Sequence, residues 1–310
     1  MRRSFSFLAK VSFSLLLLGA VLVRIDFHKL PAYFADVSPG MLALALLLAM
    51  LQVPATSLRW HLLLITVGVR LPVRTTLEVN IISIFANSVL VNVVGGIVTR
   101  VAFLMDHNVS AHSILSTTLL ERIIIAIVLG AMAFAGLWMS GIYPHVDGRM
   151  LLRMTGFGLL GLMAITVAAY AMSKKFRTAV DKANAVILHT LSDLRTIIVD
   201  WQGLVIAFVL TLISQLMLVG VGVLVGHVMH VTVPLWQMAL VLPGVALISS
   251  LPIGLGGVGL REISMVTVLG ALGVSAEQSL ILSITIGAVT LGGSAVAYSL
   301  VLAARALERP

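Results

Sequence analysis

Apolar residues gather along this chain into runs close to the roughly 20 residues that a helix needs to cross a bilayer. Six of these runs are uninterrupted, and each predicts a transmembrane helix. They extend from about Phe7 to Val23, Met41 to Val67, Ser113 to Trp138, Leu151 to Met172, Leu204 to Val228 and Ser279 to Ala303. Two further apolar segments, Leu77 to Met105 and Leu235 to Leu269, are broken by glycines and polar residues. The pattern predicts an all-α, polytopic integral membrane helix bundle.

Basic residues indicate how the two broken segments run, because Lys and Arg accumulate in the cytoplasmic loops of membrane proteins. If each broken segment enters and leaves on one face, 14 basic residues fall on the cytoplasmic side and only Arg24, Lys29, Arg149 and Arg153 fall outside. A single crossing by the first broken segment would destroy this asymmetry. The charge pattern therefore predicts about six full spans plus two re-entrant broken-helix hairpins, with both termini cytoplasmic. The 14 are Arg2, Arg3, Lys10, Arg59, Arg70, Arg74, Arg100, Lys174, Lys175, Arg177, Lys182, Arg195, Arg305 and Arg309.

Two other segments lie outside this bundle pattern. Residues 174–200 combine mixed charge with helical spacing, which is typical of an amphipathic helix on the membrane surface. The N-terminus has the basic start and apolar core of a signal peptide, but no small-x-small cleavage site precedes Arg24. We expect it to be an uncleaved first helix.

Composition narrows the classes of function. The 310 residues are 60% hydrophobic and 10% charged, whereas a soluble domain is about 25% charged. The excess of basic residues lies in short loops and so indicates topology rather than nucleic-acid binding. The chain contains no cysteine, which excludes disulfides and Cys-ligated metal sites. His227 and His230 form an HxxH pair without a nearby acid, so we expect neither metal nor cofactor.

The broken segments resemble each other. Gly95, Gly96 and Arg100 recur 161 residues later with the same spacing, and NVSAHS after the first segment is matched by GVSAEQ after the second. The recurring residues are Gly256, Gly257 and Arg261, and Ser88 matches Ser249 at the same offset. We expect one transmembrane domain over residues 1–310 with repeat 1 at about 41–140 and repeat 2 at about 201–303. Three full crossings separate the glycine pairs, so the repeats should be inverted.

Interrupted helices survive in a membrane only where protein or a water-filled cavity satisfies their free backbone groups. Transporters built from inverted repeats place their substrate sites at such breaks, and the N-terminal ends of half-helices favour anionic groups. Close helix packing is the alternative interpretation of the glycine pairs. Polar residues beside them favour a cavity: Asn87, Asn92, Ser249, Ser250 and Pro252.

Charged residues also lie inside predicted membrane segments: Glu121 and Arg122 in the third span, and Arg261 and Glu262 after the second glycine pair. A central Arg or Asp costs roughly 2.5 to 3.5 kcal/mol to insert, so such residues pair or line a pathway. One interpretation is structural ion pairing of Glu121 with Arg261 or of Arg122 with Glu262. The other makes Arg100, Arg122 and Arg261 the cationic lining for an anionic headgroup, since guanidinium binds phosphate in bidentate fashion.

Two other polar sites in the spans lead to different expectations. Gln215 in the fifth span would bond either a neighbouring helix or a ligand. Arg59 and Trp60, near the end of the second span, have the composition of an interfacial anchor, and we assign them no substrate role.

Several motifs together resemble the lysylphosphatidylglycerol synthase transmembrane-region family of flippase-like membrane proteins. They are RW at position 59, NxxGGxxxR ending at Arg100, the acid–Arg pair at 121, and LPIGLGGVGLRE ending at Glu262 and followed by GVS. The resemblance covers about Ser57 to Leu302. Some members carry a soluble aminoacyl-transferase domain and move lysyl-phosphatidylglycerol between leaflets, whereas stand-alone members are linked to phospholipid or hopanoid lipids.

The resemblance implies that this chain is a stand-alone member, since Pro310 closely follows the last predicted helix. It also implies that the charged positions of the family correspond to Arg100, Glu121, Arg122, Arg261 and Glu262. Thr99 stands where many relatives carry an acid, which weakens a proton-relay role for this half.

The leading hypothesis is a lipid flippase of the bacterial cytoplasmic membrane that acts on an anionic or aminoacylated phospholipid and is not an enzyme. No Walker loop is present, so ATP is not its expected energy source. A membrane-embedded transferase is the alternative, with Asp106 and Glu78 as the nearby candidate acids. A third hypothesis is a non-transporting partner of a lipid-synthesis enzyme. A homo-oligomer is compatible with all three.

Overall fold

The computed structural model describes residues 38–89, 94–104, 109–139, 200–231, 233–249 and 259–307. These parts of the chain form eight α-helices and contain no strand. We number them α1 (Pro39–Thr66), α2 (Val73–Val89), α3 (Val94–Leu104), α4 (Ala111–Met139), α5 (Trp201–Val228), α6 (Leu235–Ser249), α7 (Leu260–Ala271) and α8 (Ala276–Leu307). The predicted spans at 7–23 and 151–172 and the predicted surface segment up to residue 199 lie outside the described residues.

Four of the eight helices are long and apolar enough to cross a membrane: α1, α4, α5 and α8. They coincide within a few residues with four of the six predicted spans. The two broken segments each form a pair of shorter helices, α2 with α3 and α6 with α7. The prediction of an all-α, multi-pass membrane protein is therefore confirmed.

The side chains are distributed as in a protein surrounded by lipid. Large apolar residues on α1, among them Leu44, Leu47 and Leu51, are exposed on the outside of the bundle. Polar and charged residues are buried instead, because hydrocarbon cannot satisfy their hydrogen bonds. The buried set includes Ser57, Arg59, Asn80, Ser83, Arg100, Thr117, Thr118, Glu121, Thr211, Ser214, Glu262 and Ser283.

Local sequence signals define where several helices begin. Pro39 occupies the first turn of α1, where a missing N–H costs nothing. The Asp200 carboxylate accepts a hydrogen bond from the Gly203 amide at the start of α5. At the start of α8, the Ser275 hydroxyl accepts from the Gln278 amide at 3.2 Å, and the Gln278 side chain accepts from the Ser275 amide at 3.4 Å. This reciprocal capping box explains the SAEQ sequence at this position.

The helices repeat one order of lengths: long, short, short, long in α1 to α4, and the same again in α5 to α8. Lengths are 28, 17, 11 and 29 residues for α1 to α4, and 28, 15, 12 and 32 residues for α5 to α8. Their packing has the same regularity. The two first helices, α1 and α5, pack against each other, and the last helix of each set packs on the second helix of the other, α4 on α6 and α8 on α2. The two sets of helices are thus interleaved in one bundle.

The turns between the helices match as well. After α1 the Val69 amide donates to the Leu64 carbonyl at 3.0 Å, and after α5 the Val231 amide donates to the Gly226 carbonyl at 2.8 Å. The residue before each of these donors has a positive φ: 81° at Gly68 and 54° at His230. The two sets of helices therefore share the local geometry of their first turns, although one uses glycine and the other histidine.

The end of α1 and the start of α4 lie on the same side of the bundle. Residues 67–71 and residues Val109, Ser110 and Ser113 line one cavity of about 360 Å³. Beneath it, Trp60, Leu104 and Ile114 share one apolar cluster. The helices α2 and α3, which lie between these two turns in sequence, also pack against each other.

Candidate functional site

The centre of the candidate site is a buried carboxylate held between two guanidinium groups. Glu121 Oε1 accepts from Arg59 Nη2 at 2.5 Å, and Glu121 Oε2 accepts from Arg100 Nη1 at 2.6 Å. The residues come from α4, α1 and α3, and their exposed fractions are 4%, 2% and 6% respectively. At about 1.5 Å per residue, Arg59 lies roughly 10 Å from the end of α1 and Glu121 roughly 15 Å from the start of α4. The pairs therefore lie within the membrane-spanning part of both helices.

Neutral polar side chains also accept hydrogen bonds from the two arginines. Arg100 donates to Asn80 Oδ1 at 2.7 Å and to Thr118 Oγ1 at 3.0 Å, and Arg59 donates to Thr211 Oγ1 at 3.2 Å. The Asn80 amide group in turn donates to Ser57 Oγ at 2.9 Å. This network joins α1, α2, α3, α4 and α5, so each charge is fixed by several helices at once.

Trp60 provides an aromatic surface for the network. The Arg100 guanidinium carbon lies 4.0 Å from the centre of the indole ring, within cation–π range. The indole is fully buried, and its Nε1 donates to Thr117 Oγ1 at 3.4 Å. Arg100 is thereby bonded along its edge and stacked on one face.

Arg122 lies next to Glu121 on α4 but is bonded differently. In the described part of the chain the Nε atoms of Arg59, Arg100 and Arg122 are all buried without a hydrogen-bond partner, but only Arg122 also lacks an ion pair with a carboxylate there. Three arginines thus surround one glutamate in this cluster. The cluster carries two more positive than negative charges, in a region where the low dielectric makes uncompensated charge costly.

A second charged pair lies at the start of α7. Arg261 donates to Glu262 Oε1 from Nε at 2.9 Å and from Nη2 at 2.6 Å. Glu262 Oε2 accepts from the Gly259 amide at 2.6 Å, so this carboxylate also caps the helix. Gly259 adopts φ +87°, a conformation that suits only glycine comfortably. The Glu262 side chain is 2% exposed, whereas that of Arg261 is 35% exposed.

The structure changes two interpretations of the intramembrane charges. Glu121 pairs with Arg59 and Arg100 rather than Arg261, and Glu262 pairs with its neighbour Arg261 rather than Arg122. The interpretation of Arg59 and Trp60 as an interfacial anchor is wrong, because both residues are buried and bonded in the interior. Sequence reasoning misses Arg59 because its partner lies 62 residues away in sequence. Its position two turns inside an apolar run is the available signal.

The other predicted site residues are placed as follows. Gly95 and Gly96 lie in the first turn of α3, and Asn87 lies in the last turn of α2. Ser249 ends α6, on the near side of the second glycine segment. Gln215 is partly exposed on α5, and no hydrogen bond joins it to the described residues. Asn92, Ser250, Pro252, Gly256 and Gly257 lie outside the described residues, so their predicted roles stay predictions.

The chemistry available here is charge recognition. A cluster with surplus guanidinium groups attracts an anion and can bond its oxygens at two points. The described ranges contain no group of three or more His, Cys, Asp or Glu residues that could hold a metal ion. The site residues brought together are Arg59, Asn80, Arg100, Glu121 and Arg122.

The fold and the site define a multi-pass α-helical membrane protein with a cationic cluster inside its bundle. The family profile of the lysylphosphatidylglycerol synthase transmembrane region matches residues 7–297, and the chain belongs to that family. This supports a lipid-related role in the membrane. No curated protein and no solved structure matches the chain.

Proposed function

We propose that this protein moves a lipid with an anionic or aminoacylated headgroup between the leaflets of the membrane. The observation that carries the proposal is the surplus of two positive charges in the cluster of Arg59, Arg100, Arg122 and Glu121. A bound phosphodiester would supply one of the two missing negative charges. The membrane-lipid role of the family supports this assignment.

The three arginines have different roles in this proposal. Arg59 and Arg100 are bonded to Glu121 and to neutral partners, so they hold the helices together. Arg122 forms no hydrogen bond or ion pair with the described residues and is less buried than the other two. Arg122 is therefore the group that would bond the headgroup, with Glu121 fixing its surroundings.

The acyl chains have a suitable location beside this cluster. An apolar groove of about 220 Å³ runs between α1, α2 and α8 and is lined by residues that include Val53, Pro54 and Ile81. Ile81 adjoins Asn80 in sequence, and Val53 lies one turn before Ser57, so the groove begins next to the network that holds Arg100. A lipid could keep its headgroup in the bundle and its tails in hydrocarbon.

Alternating access would come from two inverted repeats, each with one re-entrant hairpin, among six full spans. The repeated helix order and the matched turns at Val69 and Val231 support a duplication. The shared cavity of the α1–α2 and α3–α4 turns supports a hairpin that returns to its starting face. Arg59 and Arg100 belong to the interior rather than to loops, and removing them from the fourteen cytoplasmic residues still leaves twelve against four. Cytoplasmic termini in a bacterial inner membrane remain part of the proposal.

Lipid movement in proteoliposomes tests this function. A fluorescent phosphatidylglycerol is incorporated into both leaflets, and the outer pool is bleached by a reductant that cannot cross the membrane. We expect exchange with the wild type and at least about a tenfold slower exchange with Arg122→Gln, since a charge-assisted hydrogen bond contributes about 1.5–3 kcal/mol. Arg122→Lys should retain part of the rate because it keeps the charge.

The matched control is Arg70→Gln, which removes an exposed arginine just after α1. It should leave the exchange rate unchanged. Equal rates for wild type and Arg122→Gln would contradict the assigned role of Arg122. A wild type that moves neither anionic nor zwitterionic phospholipid, with or without a proton gradient, would contradict the proposed function and favour a partner of a lipid-synthesis enzyme.

A further inference from the structure

The guanidinium group of Arg261 lies directly against the backbone of α8. A Cβ atom placed at Gly287 would lie 2.6 Å from the guanidinium carbon of Arg261, which is closer than such atoms approach in real structures. Any residue other than glycine at this position would therefore push the guanidinium away. The absence of a side chain at Gly287 leaves room for the guanidinium, which Glu262 of α7 holds against α8.

A hydroxyl group without a hydrogen-bond partner lies on α8 beside Gly287. Ser283 lies one turn before Gly287 on α8 and is 1% exposed, and its Oγ has no hydrogen-bond partner among the residues that the structure describes. Leu280, one turn earlier still, packs against Ile263 and Val266 of α7. Because Leu280, Ser283 and Gly287 share one face of the helix, the Ser283 hydroxyl lies in the α7–α8 interface.

A buried hydroxyl without a partner is unusual, since leaving one costs roughly 1–3 kcal/mol. Other hydroxyls on α8 avoid this cost by bonding a carbonyl one turn back: Ser279 to Ser275, and Ser294 to Thr290. Ser283 makes no such bond. Arg261 has a free donor as well, because Nε and Nη2 bond Glu262 while Nη1 lacks a hydrogen-bond partner among the described residues.

The corresponding position in the first set of helices is occupied. Aligning α4 with α8 at their first residues, Ala111 and Ala276, places Thr118 opposite Ser283. Thr118 accepts a hydrogen bond from Arg100, the arginine of the first broken segment. The arginine of the second broken segment, Arg261, bonds Glu262 instead and leaves the equivalent hydroxyl unused.

We propose that Arg261, Ser283 and Gly287 form a second anion subsite, which binds one oxygen group of a phosphodiester between the free Nη1 of Arg261 and the Ser283 hydroxyl. Gly287 is the positioning residue of this subsite. The inference rests on the proposed lipid-translocation function and extends it to a named contact on α8. The shared chemistry is an oxyanion, whether it belongs to a lipid headgroup or to free phosphate.

Thermal stabilisation by ligand tests the subsite without any transport step, because a ligand that binds only the folded protein raises its melting temperature. The detergent-solubilised protein is titrated with dihexanoyl phosphatidylglycerol and, separately, with inorganic phosphate. We expect the wild type to be stabilised by the lipid. Ser283→Ala should weaken apparent binding about fivefold, and Gly287→Ala at least about tenfold, as expected for one neutral and one charge-assisted hydrogen bond.

Matched controls lie on the same helix. Gly292→Ala introduces a methyl group with only an ordinary contact, 3.5 Å from the Leu46 side chain, and Ser294→Ala removes a hydroxyl bonded within its own helix. Both should retain wild-type binding. Ser283→Ala should not lower the melting temperature of the ligand-free protein, since the hydroxyl removed has no partner. In an Arg261→Gln background, Gly287→Ala should cause no further loss of binding.

Stabilisation by phosphate as well as by lipid would identify the oxyanion alone as the ligand, and stabilisation by lipid only would show that the rest of the lipid is needed. Unchanged binding in both Ser283→Ala and Gly287→Ala would overturn the subsite. So would a wild type that neither probe stabilises. The lipid exchange rate in proteoliposomes is measured separately from this binding. The subsite can therefore be contradicted while the translocation function stands, and the reverse.

Discussion

At the scale of single residues, the balance of charge around Glu121 controls both stability and recognition. This one carboxylate is bonded to two arginines that are almost fully buried. Each guanidinium is tolerated in the interior because of its negative partner and its neutral acceptors, Thr211, Thr118 and Asn80. Removing the carboxylate would leave both positive charges buried side by side without a negative partner.

Glu121→Gln should therefore destabilise the protein strongly. Breaking a buried ion pair by removing one partner costs about 3–5 kcal/mol, since the remaining charge is buried without compensation. Glutamine keeps the size of the side chain, so the loss reports the charge. The measurement is the thermal unfolding of purified variants in one detergent. Asp200→Asn is the control, because this carboxylate is exposed and asparagine caps a helix about as well as aspartate. Equal losses in the two variants would contradict this account.

Sequence reasoning about single residues locates the charges but not their partners. Arg100, Glu121 and Arg122 are identifiable because a charge in an apolar run is costly wherever it points. Which charges meet depends on how distant helices pack, and Arg59 and Glu121 are 62 residues apart. The role of Gly287 cannot be predicted from the sequence, since glycines are common within membrane spans. Its role depends on the guanidinium group of Arg261, which lies against it only in the folded protein.

At the scale of helices and turns, the sequence predicts which helices exist better than it predicts how those helices pack against each other. Apolar run length predicts four helices to within a few residues, because the thickness of the bilayer fixes the length of a span. The polar and glycine interruptions predict the breaks in the other two segments. The packing of α4 on α6 and of α8 on α2 cannot be predicted in this way, since lipid-facing and helix-facing apolar surfaces have similar composition.

The turn after α1 offers a test of its backbone geometry. Gly68 has φ +81°, and no atom lies within 4 Å of the position that a methyl group would take there, so Gly68→Ala introduces strain without a clash. We expect a loss of about 1–2 kcal/mol in unfolding free energy. Gly130 also has open space around it but lies in the α4 helix, where alanine should stabilise by up to about 1 kcal/mol. Opposite signs in thermal unfolding would confirm the turn, and matching signs would contradict it.

Across the bundle as a whole, the two sets of helices are held together by close backbone contacts. A Cβ atom at Gly136 of α4 would lie 2.7 Å from both Cα and Cβ of Leu240 on α6. Helices approach this closely in membranes where a small residue removes the side chain between them. The contact joins the last helix of the first set to the second helix of the other.

A cysteine pair can test this contact, because the chain has no native cysteine. Gly136→Cys with Leu240→Cys should form a disulfide under mild oxidation after a relaxation of about 1 Å, since disulfides need Cβ atoms about 3.5–4.5 Å apart. The cross-linked peptide is detected by mass spectrometry. Gly130→Cys with Leu240→Cys is the control, displaced by six residues or roughly 9 Å along α4. Equal cross-linking of the two pairs would contradict the packing of α4 on α6.

The separation of Arg59 from Glu121 also has a consequence for synthesis on the ribosome. The 62 residues between them take about 3 to 12 seconds to translate at the usual 5–20 residues per second. During that interval α1 has left the ribosome with a positive charge whose partner does not yet exist. The leucine-rich remainder of α1 must offset the insertion cost of about 2.5–3.5 kcal/mol for that arginine. The apolar surface of the first long helix thus has to support the chain through its own biosynthesis as well as in the finished bundle.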